Sequence, residues 1–367
     1  MSARTSTQDV GTRECEALSR IERVRRMPPR FRDERITMAH GAGGKATQSL
    51  IRGLFVPAFA SETLALLDDA GRFEVDGAPL AMTTDSFVVK PIRFPGGSIG
   101  ELAVNGTAND LAVVGARPLA MTLSLILEEG LATDDLAAEV DAIARAAAIA
   151  GVEILAGDTK VVERGHGDGL YICTTGLGRI DDRASLSPRS LRPGDRVLVS
   201  GRIGDHGTAI LLARGEFELD ADIRSDTCCL WPAVDALLNA VGPSLRCMRD
   251  ATRGGVASVL NELATASGVA IAVREDQVPV QPAVAGACEL LGIDPLYVAN
   301  EGRLVAVVAA EEVDAALTAL RCVRGCEDAA EIGVVDVEPD GMVIVRSAFG
   351  GRRVLDLLVG DPLPRIC

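Results

Sequence analysis

The stretch Leu80-Ala81-Met82-Thr83-Thr84-Asp85 places an aspartate directly after a short run of apolar and β-branched residues. Such a run predicts a β-strand, and the aspartate is expected in the turn at its end. The same order recurs twice, where the run 152–156 precedes Gly157-Asp158-Thr159-Lys160 and the run 245–248 precedes Arg249-Asp250-Ala251-Thr252. The sequence therefore predicts three strands that each deliver one carboxylate: Asp85, Asp158 and Asp250.

Apolar residues with helical spacing alternate with these strands along the chain. One helix is expected to begin at Ser98 and to end before Gly115, and it carries the polar pair Asn109-Asp110 between apolar positions. The segment 181–194, with Pro188 and Pro193, separates two units of this kind. These patterns indicate an α/β (α+β) fold built from two domains.

A chain of 367 residues also exceeds what one hydrophobic core usually organises. We expect a basic extension over residues 1–35, an N-terminal domain over 36–185, a C-terminal domain over 190–358, and a mobile tail over 359–367. The extension holds nine arginines against six acidic residues and has no apolar core of a secretory signal. A disordered extension, a start codon assigned too far upstream, and a basic partner-binding arm all remain open.

Composition excludes several classes of partner. Aromatic residues make up only 3% of the chain and the formal net charge is −15, which argues against nucleic acid. No run of about 18 apolar residues exists, so no membrane span is expected. The nine cysteines form no paired framework, which suggests small buried side chains in a reducing, cytoplasmic compartment.

The acidic residues at the strand ends indicate a cation site. Carboxylates that are brought together repel one another, and burial makes the repulsion worse, so a cluster is tolerated mainly when cations hold it. Oxygen ligands suit Mg²⁺, which commonly keeps water and nucleotide phosphates as its other ligands. Asp85, Asp110, Asp158 and Asp250 are therefore candidate ligands, although any one of them alone is as well explained as a turn former or helix cap.

A glycine-rich stretch, His40-Gly41-Ala42-Gly43-Gly44-Lys45, precedes a helical pattern. Such a turn presents backbone N–H groups to an anion, but the spacing is not that of a Walker A loop. A plain turn explains the stretch equally well.

The chain ends in Gly360-Asp361-Pro362-Leu363-Pro364-Arg365-Ile366-Cys367. The two prolines favour a stiff, extended arm with a thiol at its tip. A frayed terminus that happens to end in cysteine is the simpler alternative.

Several of these motifs together resemble the hydrogenase maturation factor HypE family. The resemblance is carried by the stretches 40–45, 84–86, 95–97, 106–110, 126–130, 157–162, 204–207, 249–255, 300–302 and 364–367, and it runs from about residue 36 to the end of the chain. It implies a PurM-like, aminoimidazole ribonucleotide synthetase-related fold, in which the sheet of the N-terminal domain dimerises and a second α/β domain follows.

The resemblance also implies an activity. A HypF carbamoyltransferase loads the terminal thiol with a carbamoyl group, and ATP with Mg²⁺ then drives its dehydration to a thiocyanate. The cyanide is passed to a HypC–HypD complex for the iron centre of [NiFe]-hydrogenase. The implied protein is a cytoplasmic homodimer.

Site roles follow from the resemblance as hypotheses. Cys367 is the modified, catalytic thiol, Lys160 polarises the amide, and Glu301 accepts a proton. His206 is a weaker candidate, since a turn histidine with satisfied hydrogen bonds is equally common. The residues assigned to Mg²⁺ and ATP are Gly43, Gly44, Lys45, Asp85, Asn109, Asp110, Asp158, Thr159 and Asp250, of which the four aspartates are the proposed metal ligands.

Two other functions remain open. The chain could be a passive carrier that only displays a thiol, or a related small-molecule kinase such as selenophosphate synthetase or thiamine-phosphate kinase. The loop around Gly43 lacks the cysteine that selenophosphate synthetases keep there, and none of these kinases needs a terminal cysteine.

Overall fold

The computed structural model describes residues 31–215, 221–360 and 365–367. The expectations for residues 1–30 and 361–364 lie outside these ranges. Two main sheets, one of five and one of seven strands, are flanked by helices, which confirms the mixed α/β fold class. In the described ranges no helix combines the length and apolarity that crossing a bilayer requires.

The first sheet has the strand order β1-β2-β7-β5-β6, in which only β5 and β6 are parallel. Its strands, together with the two-stranded ribbon β3-β4, are β1 (Gly71–Val75), β2 (Ala78–Phe87), β3 (Arg93–Phe94), β4 (Gly97–Ser98), β5 (Ala116–Glu128), β6 (Glu153–Val162) and β7 (Leu170–Ile180). The helices of this part are α1 (Lys45–Leu50), α2 (Val56–Phe59), α3 (Ile99–Val113) and α4 (Thr133–Ala150), with a π-helical turn at Ile51–Phe55 and short 3₁₀ helices at Met38–Gly41 and Leu64–Leu66.

Helix α3 covers one face of the first sheet, and α4 packs on α3. Alternate residues of β2 point toward α3, so that Ala81 and Phe87 are buried while Met82 is half exposed on the opposite face. On the strands of the first sheet, large apolar side chains also remain exposed at Ile126, Leu155 and Val161. A sheet face of this kind is available for contact with another surface.

The second sheet has the order β14-β13-β10-β12-β8-β11-β9, in which only β10 and β13 are parallel. Its strands are β8 (Arg196–Val199), β9 (Leu245–Asp250), β10 (Ala270–Arg274), β11 (Leu304–Val308), β12 (Ala330–Asp336), β13 (Val343–Arg346) and β14 (Arg352–Leu355). The helices are α5 (Asp205–Ala213), α6 (Trp231–Val241), α7 (Gly255–Ser267), α8 (Pro282–Leu291) and α9 (Val313–Arg321), with 3₁₀ helices at Gly242–Ser244, Glu275–Gln277, Pro295–Tyr297 and Ala310–Glu312.

The central strands of the second sheet are buried on both faces. Val305 and Val307 of β11 pack in the cluster that contains α7, whereas Leu304 and Ala306 pack in the cluster that contains α6 and α9. Strand β11 is therefore apolar at every position, as expected for a strand between two helical layers.

The apolar pattern of the sequence predicts helices over residues 231–241 and 282–291 and a strand over 304–308, and these bounds agree with α6, α8 and β11. The prediction that Asp85 and Asp158 follow their strands is wrong, because β2 and β6 continue past them. Only Asp250 is the last residue of its strand. Both longer strands are stabilised by neighbours that are distant in sequence, since Asp85 pairs with Thr174 of β7 and Asp158 with Ser124 of β5.

Candidate active site

A cavity of about 400 Å³ lies between elements of the two sheet layers. Its walls include Asp85 from β2, Asp110 from α3, Asp250 from β9 and Glu262 from α7. The glycine-rich loop contributes Gly43. A cavity of this volume suits a small ligand of nucleotide size.

Asp85 and Asp110 are neighbouring carboxyl groups on this wall. The Thr107 hydroxyl donates to Asp85 Oδ2 over 3.1 Å, and the Thr83 hydroxyl donates to Asp110 Oδ2 over 2.8 Å. Burial raises the pKa of both carboxyl groups, and in Asp110 the charges of Asp85 and Asp250 raise the pKa further. The pair is therefore costly to ionise unless a cation is present.

Asp250 adds a third carboxyl group at the end of β9. Burial and the charge of Asp85 raise the pKa of Asp250 to about 7, against the opposing effect of Arg249. Only 7% of Asp250 is exposed. Its ionisation state thus changes close to neutral pH.

Arg249 organises a second acidic group that sequence analysis missed. Its guanidinium donates to Asp69 Oδ1 and Glu262 Oε2, each over 3.0 Å, and to the Leu67 carbonyl oxygen over 2.8 Å. Asp68 and Asp69 line the large cavity beside it. Burial raises the pKa of Asp69 well above its usual value. The adjacent pair Asp68-Asp69 before β1 was the available signal, but β1 itself was not predicted.

The donor atoms of this wall fit Mg²⁺ in type, because they are carboxylate oxygens. Asp69 Oδ2 is buried and has no hydrogen-bond partner among the described residues, which leaves it available to a cation. Within those residues, however, no three carboxylate, imidazole or thiol side chains are arranged to hold a metal ion by themselves. The wall thus fits an ion that takes its remaining ligands from water and phosphate.

The last three residues of the chain lie in the structure against the first sheet and α5. The Val88 N–H donates to an oxygen of the Cys367 carboxylate over 3.0 Å, and Arg214 donates to the Arg365 carbonyl oxygen over 2.8 Å. Ile366 is 5% exposed and packs in the hydrophobic core of this region. The Arg365 guanidinium forms an ion pair of 2.5 Å with Asp168. The end of the chain is therefore held by hydrogen bonds to its main chain, by the buried Ile366 side chain and by the ion pair of Arg365.

His206 completes this set of contacts. Its Nδ1 lies 2.8 Å from the Ser225 hydroxyl oxygen, and its Nε2 lies 2.6 Å from the Ile366 carbonyl oxygen. The ring also meets Phe94 edge-on at 5.6 Å. His206 thus contacts the tail directly, rather than serving only as a turn residue.

The terminal cysteine lines a smaller cavity of about 40 Å³ that reaches the acidic wall. The carboxyl groups that share this cavity with Cys367 are Asp85, Asp110, Asp250 and Glu301. The tail therefore brings its thiol residue to the same place as the candidate nucleotide ligands.

Glu301 is the most deeply buried of these acids, with 3% exposed. Its Oε1 atom has no hydrogen-bond partner among the described residues. Burial raises its pKa well above the usual value, with smaller contributions from Asp250 and Asp226 and an opposing one from Arg253. A carboxylate whose pKa is raised is a stronger base than an ordinary glutamate, and Glu301 lies in the same small cavity as Cys367.

The backbone of Glu301 is held by two polar side chains. Its N–H donates to Asp226 Oδ1 over 3.0 Å, and its carbonyl oxygen accepts from Asn109 Nδ2 over 3.2 Å. Asn109 also donates to the Cys228 carbonyl oxygen and accepts from the Leu230 N–H. The amide of Asn109 is thus directed to backbone groups, and in this structure Asn109 supports Glu301 instead of facing the cavity as expected.

Lys45 of the glycine-rich loop contacts the segment before the tail and not the large cavity. The Lys45 amine pairs with Asp356 over 2.6 Å, and the Lys45 N–H donates to the Leu358 carbonyl oxygen. A Cβ on Gly44 would lie 2.5 Å from that same Leu358 oxygen. Lys45 therefore binds Asp356 and Leu358 and does not line the large cavity, so the expected contact between Lys45 and a nucleotide phosphate is not supported.

Asp158, Thr159 and Lys160 lie elsewhere, on strand β6 at the edge of the first sheet. The side chains of Asp158 and Lys160 are 63% and 68% exposed and pair with each other over 2.7 Å. None of the three lines the cavities that contain Cys367. The expectation that Asp158 joins the other aspartates does not hold within the described parts of a single chain.

The fold and the acidic cavity between two α/β layers define a class of protein. Family models of the AIR synthase related proteins match the chain twice, with the N-terminal domain at residues 67–180 and the C-terminal domain at residues 192–346.

Within that class the relatives are more specific. "Carbamoyl dehydratase HypE" of Bradyrhizobium diazoefficiens is 48% identical over 332 residues, which is 90% of this chain and 96% of that protein. A HypE–HypF complex contains a chain with 43% identity and a TM-score of 0.80, covering 84% of this chain and 99% of that one. HypE in complex with ATP has 45% identity and a TM-score of 0.76, covering 91% of this chain and 100% of that one. The chain belongs to the HypE family of hydrogenase maturation proteins.

Proposed function

We propose that this protein is an ATP-dependent dehydratase whose substrate is a carbamoyl group on its own Cys367. The observation that carries this proposal is the shared cavity of Cys367, Glu301 and the three aspartates at the wall of the larger cavity. Membership of the HypE family and the ATP complex of a relative support it.

The proposed reaction removes the elements of water in two steps. The amide oxygen attacks the γ-phosphorus of ATP, the bond from that phosphorus to the β–γ bridging oxygen breaks, ADP leaves, and one N–H proton is released. The carbon–oxygen bond then breaks as the second N–H proton is lost, so that phosphate departs with that proton and a carbon–nitrogen triple bond forms. Phosphorylation is needed because an amide oxygen is otherwise a poor leaving group.

The residues of the cavity suit these steps. Glu301, with its raised pKa and unpartnered oxygen, is proposed to take the amide proton. Asp85, Asp110 and Asp250 would hold Mg²⁺ together with the nucleotide phosphates, and the ion would supply positive charge to the transferred phosphoryl group. Gly43 on the cavity wall is proposed to contact the nucleotide.

A homodimer is part of the proposal. The half-exposed apolar residues of the first sheet, Met82, Ile126, Leu155 and Val161, would be covered by a second copy. Lys160 and Asp158 lie outside the cavities that contain Cys367, so their proposed roles in amide polarisation and nucleotide binding require that second copy. Thr159 lies between them on β6, so its proposed contact with the nucleotide also requires the second copy.

The proposed partners are a HypF protein, which would load the thiol, and a HypC–HypD complex, which would accept the cyanide in the cytoplasm. The solved HypE–HypF complex supports the first of these. Both transfers need the thiol outside the cavity, so residues 365–367 must leave the contacts described above.

The test is mass spectrometry of the C-terminal peptide after incubation with carbamoyl phosphate, HypF and ATP. The proposal expects the carbamoylated peptide to lose the mass of one water only when ATP is present. Retention of the carbamoyl mass despite ATP consumption would contradict it and favour the passive carrier. A Cys367→Ala variant that still phosphorylates a small molecule would favour a related kinase.

A further inference from the structure

Arg253 lies in the loop between β9 and α7 and lines three cavities at once. The first is the large acidic cavity, the second is the small cavity with Cys367 and Glu301, and the third is a space of about 140 Å³ that residues 365–367 help to line. Among the described residues that line the small cavity, Arg253 carries the only positive charge. It therefore stands between the two places where the reactants of the proposed function would lie.

The position of Arg253 is set by the glycine-rich loop. Its Nη1 donates to the Gly41 carbonyl oxygen over 3.0 Å. Gly43 lies directly on its backbone, because a Cβ on Gly43 would be 2.7 Å from the Arg253 carbonyl oxygen, and Gly43 has a φ of +75°. The loop thus anchors the guanidinium, and glycine at position 43 allows that close approach.

The surroundings of Arg253 are strongly negative. The charge of Cys367 is the largest cause of the raised pKa of Arg253, and Asp85, Glu301 and Asp110 also raise it. The guanidinium thus remains charged and faces both the tail and the acidic wall. It can act by electrostatic stabilisation alone, without giving up a proton.

We propose that Arg253 is a catalytic residue that binds the transferred phosphoryl group and the carbamoyl oxygen of Cys367 together, a role that rests on the proposed function. The guanidinium compensates the negative charge that spreads over the phosphoryl oxygens as the bond to the amide oxygen forms. It does so again as the carbon–oxygen bond breaks and phosphate leaves. No proton is transferred to or from Arg253 in either step.

The test uses full-length protein loaded by HypF with carbamoyl phosphate, in the variants Arg253→Ala and Arg253→Lys. Single-turnover dehydration after addition of Mg–ATP is followed by mass spectrometry of the C-terminal peptide. Loss of a positioned cation is expected to slow Arg253→Ala by about 10²–10³-fold, with Arg253→Lys between the two. Added guanidinium is expected to restore part of the rate in Arg253→Ala and to leave the wild type unchanged.

Arg346→Ala, on an exposed end of β13, is the matched control and is expected to react like the wild type. If Arg253→Ala dehydrates within threefold of the wild-type rate, the inference is overturned. It is also overturned if Arg253→Lys reacts at the wild-type rate and guanidinium rescues nothing. Failure of the wild type itself to dehydrate would instead overturn the proposed function, so the two failures are distinguishable.

Discussion

The Nε2 atom of His206 lies 2.6 Å from the carbonyl oxygen of Ile366, the penultimate residue of the chain. A carbonyl oxygen only accepts, so Nε2 carries the proton and Nδ1 accepts from the Ser225 hydroxyl. Burial lowers the pKa of His206, which keeps the ring neutral and fixes this tautomer. His206, in the first turn of α5, thereby binds the docked tail.

Replacement of His206 by phenylalanine is expected to weaken tail docking, because the buried Ile366 carbonyl oxygen loses a donor. A net loss of about 1–2 kcal/mol would lower the equilibrium constant for docking by about 5–30-fold, and single-turnover dehydration by at most that factor. Loading by HypF, which the proposed function assigns to the undocked tail, is expected to be unchanged. Carboxypeptidase release of Cys367 measures docking directly, and equal release from variant and wild type would contradict this account.

The same histidine predicts a pH dependence. Since burial lowers the pKa of His206 in the folded protein below its value in the unfolded chain, the neutral ring contributes its full share of folding stability above about pH 6.5 and loses it as the pH falls below that value. The charge of Asp226 and the hydrogen bond to the Ile366 carbonyl oxygen oppose but do not reverse this shift. The unfolding free energy from urea denaturation is therefore expected to fall between about pH 6.5 and 5, and a His206→Phe variant should show a smaller fall.

Glu301→Gln is expected to abolish proton removal while it preserves the shape of the cavity. Loss of a general base typically slows a reaction by about 10²–10⁴-fold, so carbamoylated protein should accumulate in the presence of ATP. Glu311→Gln, at an exposed position, is the control. Binding of a non-hydrolysable ATP analogue should be similar in both variants, and wild-type dehydration by Glu301→Gln would exclude it as the base.

Asp250→Asn is expected to stabilise the nucleotide-free protein at alkaline pH. Because the folded-state pKa of Asp250 is raised to about 7, its protonated form favours folding below about pH 4, and that contribution is lost as the pH rises through 7. The gain in unfolding free energy of the variant over the wild type should thus be at most about 4 kcal/mol at pH 8 and small at pH 4. Urea denaturation at both values measures it. The same variant is expected to bind Mg–ATP weakly.

Gly302→Ala tests whether close packing of Gly302 against residues 226–228 holds the neighbouring Glu301 in place. A methyl group at position 302 would collide with the Asp226 carbonyl oxygen and would lie 2.6 Å from Cys228 Sγ. Displacement of this segment is expected to cost about 2 kcal/mol or more of unfolding free energy and to reduce dehydration with it. Gly286→Ala in α8, where a Cβ meets nothing within 4 Å, is the control and should be neutral or slightly stabilising. Equal melting temperatures for the two variants would contradict the steric argument.

The pattern of apolar residues in the sequence was sufficient to predict some of the helices and strands. Helix α6 and strand β11 were predicted with their observed bounds, because the apolar positions of α6 repeat with helical spacing and β11 is a short, continuous apolar run. Asp85, Asp110, Asp158 and Asp250 were predicted to share one cation site; the structure places Asp85, Asp110 and Asp250 on one wall and Asp158 elsewhere.

Other parts of the site depend on contacts between distant residues. Asn109 and Asp110 are adjacent in sequence, yet Asn109 turns to the backbone at positions 228, 230 and 301 and Asp110 lines the cavity. Lys45 is recruited by Asp356, which is 311 residues away. No local pattern encodes such a partner, so the roles of Asn109 and Lys45 could not be separated before the fold was known.

The hydrogen bonds to Ile366 and Cys367 described above are accepted by main-chain oxygens. The Val88 N–H donates to the Cys367 carboxylate, and His206 donates to the Ile366 carbonyl oxygen. These hydrogen bonds do not distinguish the free, carbamoylated and cyanated forms of the side chain, because all three forms offer the same main-chain atoms. Discrimination among the three forms is therefore left to the groups that share the small cavity with the side chain, such as Arg253 and Glu301. The same docked main chain can thus present every chemical form of the cysteine to one set of cavity residues.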